Sequence, residues 1–131
     1  MGDSILLSIK PKYVNAILKG EKKYEFRKVI PQSTRIKDVY IYASSPMKKI
    51  VAKFSLNNII QASPEEIWIQ CSQYGGISKE DFFKYYKTKT EAYALAINNL
   101  EIFEKPICPY NEFKKFTPPQ SFLYYNRLQS T

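Results

Sequence analysis

The 131-residue chain has no histidine and only two cysteines, Cys71 and Cys108. The missing histidine excludes Ser-His-Asp triads, histidine-ligated metals and the common zinc fingers. Two cysteines are too few for a disulfide scaffold, so we expect reduced thiols in a cytoplasmic protein. The sequence also lacks metal-ligand spacings, a P-loop and a dinucleotide fingerprint, and we therefore expect no cofactor and no bound metal.

Long apolar runs are absent as well. No segment approaches the roughly 18 apolar residues of a membrane span, and residues 1–12 do not resemble a secretory signal, so we expect no membrane partner. What the chain does have is 44% apolar and 24% charged residues, which is typical of a globular protein. Its length predicts one domain over residues 1–131.

The charge is distributed unevenly. Residues 1–62 carry twelve basic and four acidic side chains, whereas residues 63–131 carry eight of each, so the whole net charge of +8 belongs to the first half. A one-sided basic surface is typical of nucleic-acid binding, because neutralising phosphates releases condensed counterions. A lysine-rich surface that only keeps the protein soluble explains the charge equally well.

Hydrophobic periodicity and turn residues predict an α+β fold, a small mixed β-barrel of five to six strands with short helices. The segment 90–103 is ambiguous between helix and strand, and we favour a strand with a bulge or bend at Asn98-Asn99. Serines at 63 and 78 favour the starts of two helices. The predicted strands are Ser4–Ile9, Lys22–Lys28, Ile36–Ala43, Lys49–Ile59, the ambiguous segment and Ser121–Tyr125, and further helices are predicted at Pro11–Leu18 and around Asn111–Lys115.

The densest polar cluster runs from Gly20 to Lys28. On a strand, Glu25 and Arg27 share one face, with Lys22 at the entry of the strand. A carboxylate beside a guanidinium offers an acceptor and a fixed fork of donors, which suits the polar edge of a base or a phosphate. An exposed strand face with a weak ion pair is the alternative.

Two further segments carry polar groups at the ends of predicted strands. Tyr42-Ala43-Ser44-Ser45-Pro46 offers hydroxyls and free amides, and Pro118-Pro119-Gln120-Ser121-Phe122 presents Gln120 and Ser121 beside a stiff Pro-Pro pair. An ordinary serine-capped turn and an ordinary loop are the alternatives.

Taken together, these segments resemble an ASCH domain of the PUA-like superfamily. The family signature Gly-x-Lys-x-x-Glu-x-Arg falls on Gly20, Lys22, Glu25 and Arg27. The resemblance extends over nearly the whole chain, and it also covers Leu7 to Tyr13, the segment 42–46 and the Pro-Pro segment. It implies a PUA-like barrel with a cleft between barrel and helix, and binding of RNA or a modified nucleotide. Some members act in the control of transcription or translation.

On this basis we expect a ligand-binding set and a set of contacts to RNA phosphates. The expected ligand-binding residues are Ser8, Lys10, Lys22, Glu25, Arg27, Tyr42, Ser44, Ser45, Gln120 and Ser121. The expected phosphate contacts are Lys12, Lys23, Lys48 and Lys49.

The same resemblance leaves enzymatic activity open. One group of short members hydrolyses N4-acetylcytidine with a lysine, a threonine and a glutamate, and another group cleaves RNA. Lys22 matches the lysine, but Glu25 stands at the position of the threonine nucleophile. Without that hydroxyl the same acyl transfer is not available, so we favour a binding module. The alternative is a small nucleoside or RNA hydrolase that uses Lys22 and Glu25 as acid and base.

Overall fold

The computed structural model describes residues 3–33, 35–113 and 115–125. In these ranges the chain forms eight strands and four short helices. The strands are β1 (Asp3–Ile9), β2 (Tyr24–Arg27), β3 (Ile36–Ala43), β4 (Lys49–Ser55), β5 (Ile59–Ala62), β6 (Ala92–Ala96), β7 (Asn98–Ile107) and β8 (Leu123–Tyr124). The helices are α1 (Pro11–Leu18), α2 (Pro64–Cys71), α3 (Lys79–Tyr85) and α4 (Pro109–Glu112). None of the helices in the described part of the chain has the length and apolar composition that a membrane crossing requires.

Local signals in the sequence set the helix boundaries. Pro11 begins α1, and Gly20, with φ of +80°, follows its end in the left-handed region that glycine adopts without strain. The Oγ atoms of Ser63 and Ser78 accept the N–H groups of Glu66 and Asp81 at 3.2 and 3.1 Å, which caps α2 and α3. The predicted helix starts are therefore confirmed.

The strands lie in two sheets, which confirms the α+β class. The five-stranded sheet has the order β7-β4-β3-β1-β8, with β1 parallel to β3, and the three-stranded sheet has the order β2-β6-β5. The predicted strand 49–59 is two strands, because the chain leaves the larger sheet after Ser55 and enters the smaller one at Ile59.

One bent hairpin joins the two sheets. Ser55 pairs with Asn98 in the larger sheet, and Ile59 pairs with Leu95 in the smaller one. Asn99 has φ of +51°, so the chain bends where β6 gives way to β7. The ambiguous segment is therefore two strands with a bend at Asn98-Asn99, as predicted. In the described residues the ladders form two sheets joined at this corner, where the sequence predicted a single barrel.

The core consists of three clusters, and their arrangement positions the site. Alternate residues of β3 face different clusters: Val39, Ile41 and Ala43 belong to the first cluster, while Tyr40 and Tyr42 belong to the third. The first cluster also holds the buried face of α1. The second cluster packs β2, β6, α2 and α3 around Phe26, Ile67, Phe82 and Tyr86. Glu25 and Arg27 flank Phe26 of the second cluster on β2, and Glu25 pairs with Leu95 of the first cluster.

Candidate functional site

A cleft of about 580 Å³ opens where the end of β1, α1, β2 and α3 meet, and we call it the main cleft. Its walls come from four separate stretches of sequence, which the fold brings together. The lining residues are Ser8, Ile9, Lys10, Lys12, Tyr13, Lys22, Glu25, Phe26, Arg27, Ile77, Asp81, Lys84, Tyr85 and Gln120. Five of them are basic and two are acidic. The volume is in the range of ordinary small-molecule sites.

Lys22, Glu25 and Arg27 are buried in this cleft, with 3%, 6% and 8% of their surfaces exposed. They are the buried charged residues of the described chain, and this burial excludes the exposed-strand alternative. Burying charges costs free energy unless they are paired and hydrogen-bonded, so the contacts of each side chain decide what the cluster can do.

The Lys22 ammonium is held from several sides. Its Nζ donates a hydrogen bond of 2.6 Å to the backbone oxygen of Gly75 and lies 3.9 Å from Glu25 Oε1. It also lies 4.6 Å from the centre of the Phe26 ring and 5.4 Å from that of Tyr13. Burial lowers the pKa of Lys22 below its ordinary value, and the nearby Glu25 carboxylate opposes part of that shift. The result is an amine that loses its proton more readily than a surface lysine.

Glu25 and Arg27 form the second contact of the cluster. They lie two apart on β2, opposite Leu95 and Tyr93 of β6, so their side chains share a face as the sequence predicted. Arg27 Nη1 donates to Glu25 Oε2 at 3.1 Å, while Glu25 Oε1 faces Lys22. One carboxylate oxygen is thus engaged by Arg27, and the other retains capacity to accept from a ligand.

Arg27 also fastens the Pro-Pro segment to the cleft. Its Nη2 donates to the backbone oxygens of Gln120 at 3.3 Å and Ser121 at 2.8 Å. The hydroxyl of Tyr86 donates to the backbone oxygen of Arg27 at 2.9 Å, which fixes the end of β2 from the other side. Arg27 therefore positions both Glu25 and the 120–121 backbone.

A second depression of about 310 Å³ adjoins the main cleft, and we call it the side depression. Its lining residues are Arg27, Lys28, Val29, Tyr85, Lys89, Gln120 and Ser121. Arg27, Tyr85 and Gln120 line both spaces, so the two share these three residues as a common boundary.

The structure brings most of the predicted ligand-binding residues together. Ser8, Lys10, Lys22, Glu25, Arg27 and Gln120 line the main cleft, and Ser121 lines the side depression. Tyr42, Ser44 and Ser45 line neither space. Tyr42 belongs to the third core cluster, and its hydroxyl lies 2.9 Å from that of Tyr110. The backbone N–H of Ser44 donates to the backbone oxygen of Ile9.

The predicted phosphate contacts are divided in the same way. Lys12 lines the main cleft and lies 3.7 Å from Asp81, a contact between two exposed groups. Lys23 extends over the Tyr74 ring, and Lys48 and Lys49 are exposed near the start of β4; these three lysines line neither space.

Sequence reasoning assigned Gln120 and Ser121 to the site but missed other residues that the second half of the chain contributes. The sequence did not assign Asp81, Lys84 or the Gly75-Gly76 turn to the site. Their signal lies in contacts across more than fifty residues, such as the one between Lys22 and Gly75. Within the described residues, no group of three or more acidic or cysteine side chains is arranged to hold a metal ion.

The family model of the ASCH domain matches residues 7–106, which is more than half of the chain. The chain belongs to the ASCH domain family. An ASCH domain-containing ribonuclease from Zymomonas mobilis is 27% identical over 131 residues, which covers 95% of this chain and 86% of that protein. The large ribosomal subunit protein uL22 of Ureaplasma parvum serovar 3 is 28% identical over 123 residues, covering 93% of this chain and 39% of that protein.

Solved structures agree on the fold. The crystal structure of ASCH from Zymomonas mobilis superposes with a TM-score of 0.86 and 24% identity, covering 97% of this chain and 92% of that one. A mutant of the same protein superposes with a TM-score of 0.85. The PUA-like ASCH fold implied by the sequence is thereby confirmed.

Proposed function

We propose that this ASCH protein binds RNA and takes one base of a single-stranded segment into the main cleft. The observation that carries the proposal is the buried trio Lys22, Glu25 and Arg27, which lies in a cleft with exposed lysines around it. A cluster of buried charges in a cleft, with a lysine pKa lowered by burial, is a candidate for ligand recognition.

The chemistry of the cleft suits a base. Glu25 Oε1 accepts from an amino or imino group, and the Lys22 ammonium donates to a carbonyl oxygen or a ring nitrogen of the base. Tyr13 and Tyr85 offer ring surfaces at the walls, and unstacked bases in single-stranded RNA stack on such rings. Lys10 and Lys84 are exposed at the cleft and suit the phosphate backbone.

The relatives support an RNA ligand. The Zymomonas mobilis protein is a ribonuclease by name, and the Ureaplasma parvum protein belongs to the ribosome. Modified nucleosides should be tested as competitors in the binding assay, because Glu25 and Lys22 would contact the edge of the base.

Fluorescence anisotropy with labelled single-stranded RNA tests the proposal. Lys22→Met removes the ammonium and keeps most of the side-chain length, and Lys37→Met removes the same charge from an exposed position at the start of β3. We expect Lys22→Met to weaken binding at least tenfold, because a charged hydrogen bond to a ligand contributes roughly 1.5–3 kcal/mol. Lys37→Met should change the affinity less than twofold. Equal losses in both variants, or no RNA binding at all, would exclude the proposal.

RNA cleavage is a second candidate, and the lowered pKa of Lys22 is the observation that favours it. As a neutral amine, Lys22 accepts the proton of a ribose 2′-hydroxyl. The 2′-oxygen then attacks the adjacent phosphorus, and the bond from phosphorus to the 5′-oxygen breaks. The leaving 5′-oxygen takes up a proton from water, and Lys22 afterwards releases its proton to the solvent. The products are a 2′,3′-cyclic phosphate and a 5′-hydroxyl end.

End-group analysis of labelled RNA tests the second candidate. The wild-type protein should cleave RNA, whereas Lys22→Met, purified identically, should not, and a substrate with a 2′-deoxy nucleotide at the cleaved position should resist. Lys37→Met is again the matched control. Cleavage that persists in Lys22→Met would come from elsewhere, and the assignment of Lys22 as the base would be wrong.

A further inference from the structure

The side depression differs from the main cleft in the sign of its charges. Among the described residues, the charged side chains that line it are Arg27, Lys28 and Lys89, all basic. The main cleft contains the carboxylates of Glu25 and Asp81 besides its cations. Carboxylates repel a phosphate and accept from the donor groups of a base, so the two spaces suit different parts of a nucleotide.

The fold fixes the two lysines of the side depression at its rim. Lys28 directly follows β2, is half-buried, and its Nζ lies 4.4 Å from the centre of the Tyr85 ring. Lys89 follows α3, where its backbone N–H donates to Tyr86 at 2.8 Å. Lys28 is thus held against a side chain that also lines the main cleft.

The side depression adjoins the main cleft at three shared residues. Arg27, Tyr85 and Gln120 line both, so the side depression lies next to the main cleft on the other side of these residues. A base is joined through its ribose to a phosphate, so a nucleotide whose base lies in the main cleft and whose ribose faces these three residues has a phosphate within reach of the side depression.

We infer that the side depression is a phosphate subsite. It holds the backbone phosphate that flanks the nucleotide bound in the main cleft, with Lys28 and Lys89 as its cations. The inference rests on the proposed binding of RNA in the main cleft, and it defines the ligand class as phosphate-bearing: nucleotides and oligonucleotides bind more tightly than the matching free nucleosides.

A double-mutant cycle between protein and ligand tests the subsite. The ligand pair is a short single-stranded RNA with phosphodiester linkages and the same RNA with uncharged methylphosphonate linkages at the positions that flank one base. The variant is Lys28→Ala/Lys89→Ala, and the matched control is Lys37→Ala/Lys105→Ala, which removes two exposed lysines outside both spaces.

For the wild type and the control we expect the uncharged linkages to weaken binding about three- to tenfold. In Lys28→Ala/Lys89→Ala that difference should shrink to less than twofold, and the slope of log K against log salt should fall by roughly 0.7 for each phosphate that the variant no longer neutralises. The affinity for a free nucleoside should be the same in all three proteins, which shows that Tyr85 has not moved out of the main cleft. Lys28→Arg/Lys89→Arg should restore the difference.

The two levels of the proposal fail separately. If the wild type binds RNA and Lys22→Met weakens it, but the Lys28→Ala/Lys89→Ala variant keeps the full linkage effect, the subsite is wrong and the main cleft stands. If Lys28→Ala/Lys89→Ala weakens the free nucleoside as strongly as the RNA, the lysines support the cleft and do not bind phosphate. If the wild type binds no RNA, both proposals fall.

Discussion

A Cβ atom placed on Gly76 would lie 2.6 Å from the Cβ of Lys22. Carbon atoms in contact normally lie about 3.5–4.0 Å apart, so the backbone at Gly76 and the buried lysine fit together only without a side chain there. Gly76 also has φ of +64°, and the preceding Gly75 supplies the oxygen that accepts from Lys22 Nζ. The Gly75-Gly76 turn therefore packs directly against Lys22 and holds its ammonium in place.

Gly76→Ala is expected to displace Lys22 and to weaken RNA binding. Gly20→Ala is the matched control, because Gly20 also has a positive φ of +80° but no atom lies within 4 Å of its would-be Cβ. Both variants should lose about 1–2 kcal/mol of unfolding free energy from the left-handed conformation. Only Gly76→Ala should lose more stability than that and reduce the affinity, measured by denaturation and anisotropy. Equal affinities in the two variants would contradict the role of the turn.

The cluster of Lys22, Glu25 and Arg27 could be predicted from the sequence, but its contact with the Gly75-Gly76 turn could not. Lys22, Glu25 and Arg27 are neighbours in sequence, so the two-residue period of a strand and the family signature were enough to group them. The turn at 75–76 could not be assigned to the site, because its contact with Lys22 spans 53 residues. Lys84 and Lys89 could not be predicted either, because the second half of the chain has no net positive charge that would indicate a basic surface there.

In the fold, too, features that depend on neighbouring residues could be predicted, and features that depend on distant contacts could not. Pro11, Ser63 and Ser78 mark helix starts through contacts within one turn, and these starts were predicted. The division of strand 49–59 depends instead on how β5 and β6 pair, since the register passes from Ser55 with Asn98 to Ile59 with Leu95. No local residue pattern distinguishes one long strand from two strands in different sheets.

Arg27→Met should destabilise the protein by roughly 3–5 kcal/mol, since it leaves the buried Glu25 carboxylate with a broken ion pair. If the pair lay on an exposed strand face instead, it would contribute only about 0–1 kcal/mol to the free energy of unfolding. Glu25→Gln/Arg27→Met removes both charges, so it should lose clearly less than the sum of the two single variants. Urea denaturation of the wild type and the three variants measures this coupling. Additive losses would show that the two side chains do not act on each other.

The lowered pKa of Lys22 predicts a pH dependence of stability with a definite sign. Between that lowered pKa and the ordinary value of 10.5, the unfolded chain binds more protons than the folded protein at this group. The free energy of unfolding contributed by Lys22 should therefore rise with pH through this range. Burial raises the pKa values of Tyr85, Tyr86 and Cys71, which lowers stability at alkaline pH and works in the opposite direction.

Lys22→Met separates the two effects, because methionine does not titrate and the other three groups are unchanged. Denaturation of the wild type and Lys22→Met in parallel, from neutral pH to pH about 10.5, gives the difference in unfolding free energy. We expect the wild type to gain on the variant as pH rises. A difference that is constant with pH would mean that Lys22 titrates alike in the folded and unfolded states.

N4-Acetylcytidine should not be deacetylated by this protein at an appreciable rate. The family resemblance implies that Glu25 occupies the position of the threonine nucleophile of the N4-acetylcytidine hydrolases, and its carboxylate accepts from Arg27 at 3.1 Å. Glu25→Thr is the informative variant, because it restores the hydroxyl beside Lys22. Chromatography of nucleosides after incubation measures turnover. Release of cytidine by the wild type that is lost in Lys22→Met would show that another group serves as nucleophile.

Gln120→Ala should weaken RNA binding several-fold and leave stability nearly unchanged. The side chain lines both the main cleft and the side depression, whereas the bond to Arg27 uses only the backbone oxygen, which alanine keeps. A neutral hydrogen bond contributes roughly 0.5–1.5 kcal/mol, which corresponds to a loss of up to about tenfold, and an exposed substitution costs about 0.5 kcal/mol or less in stability. Gln73→Ala is the matched control, because Gln73 is also exposed and lines neither space. Anisotropy and thermal denaturation of both variants separate the possibilities. If Gln120→Ala keeps the full affinity, the 120–121 segment only holds Arg27 through its backbone and does not bind RNA. A large drop in melting temperature would mean that the Gln120 side chain supports the fold.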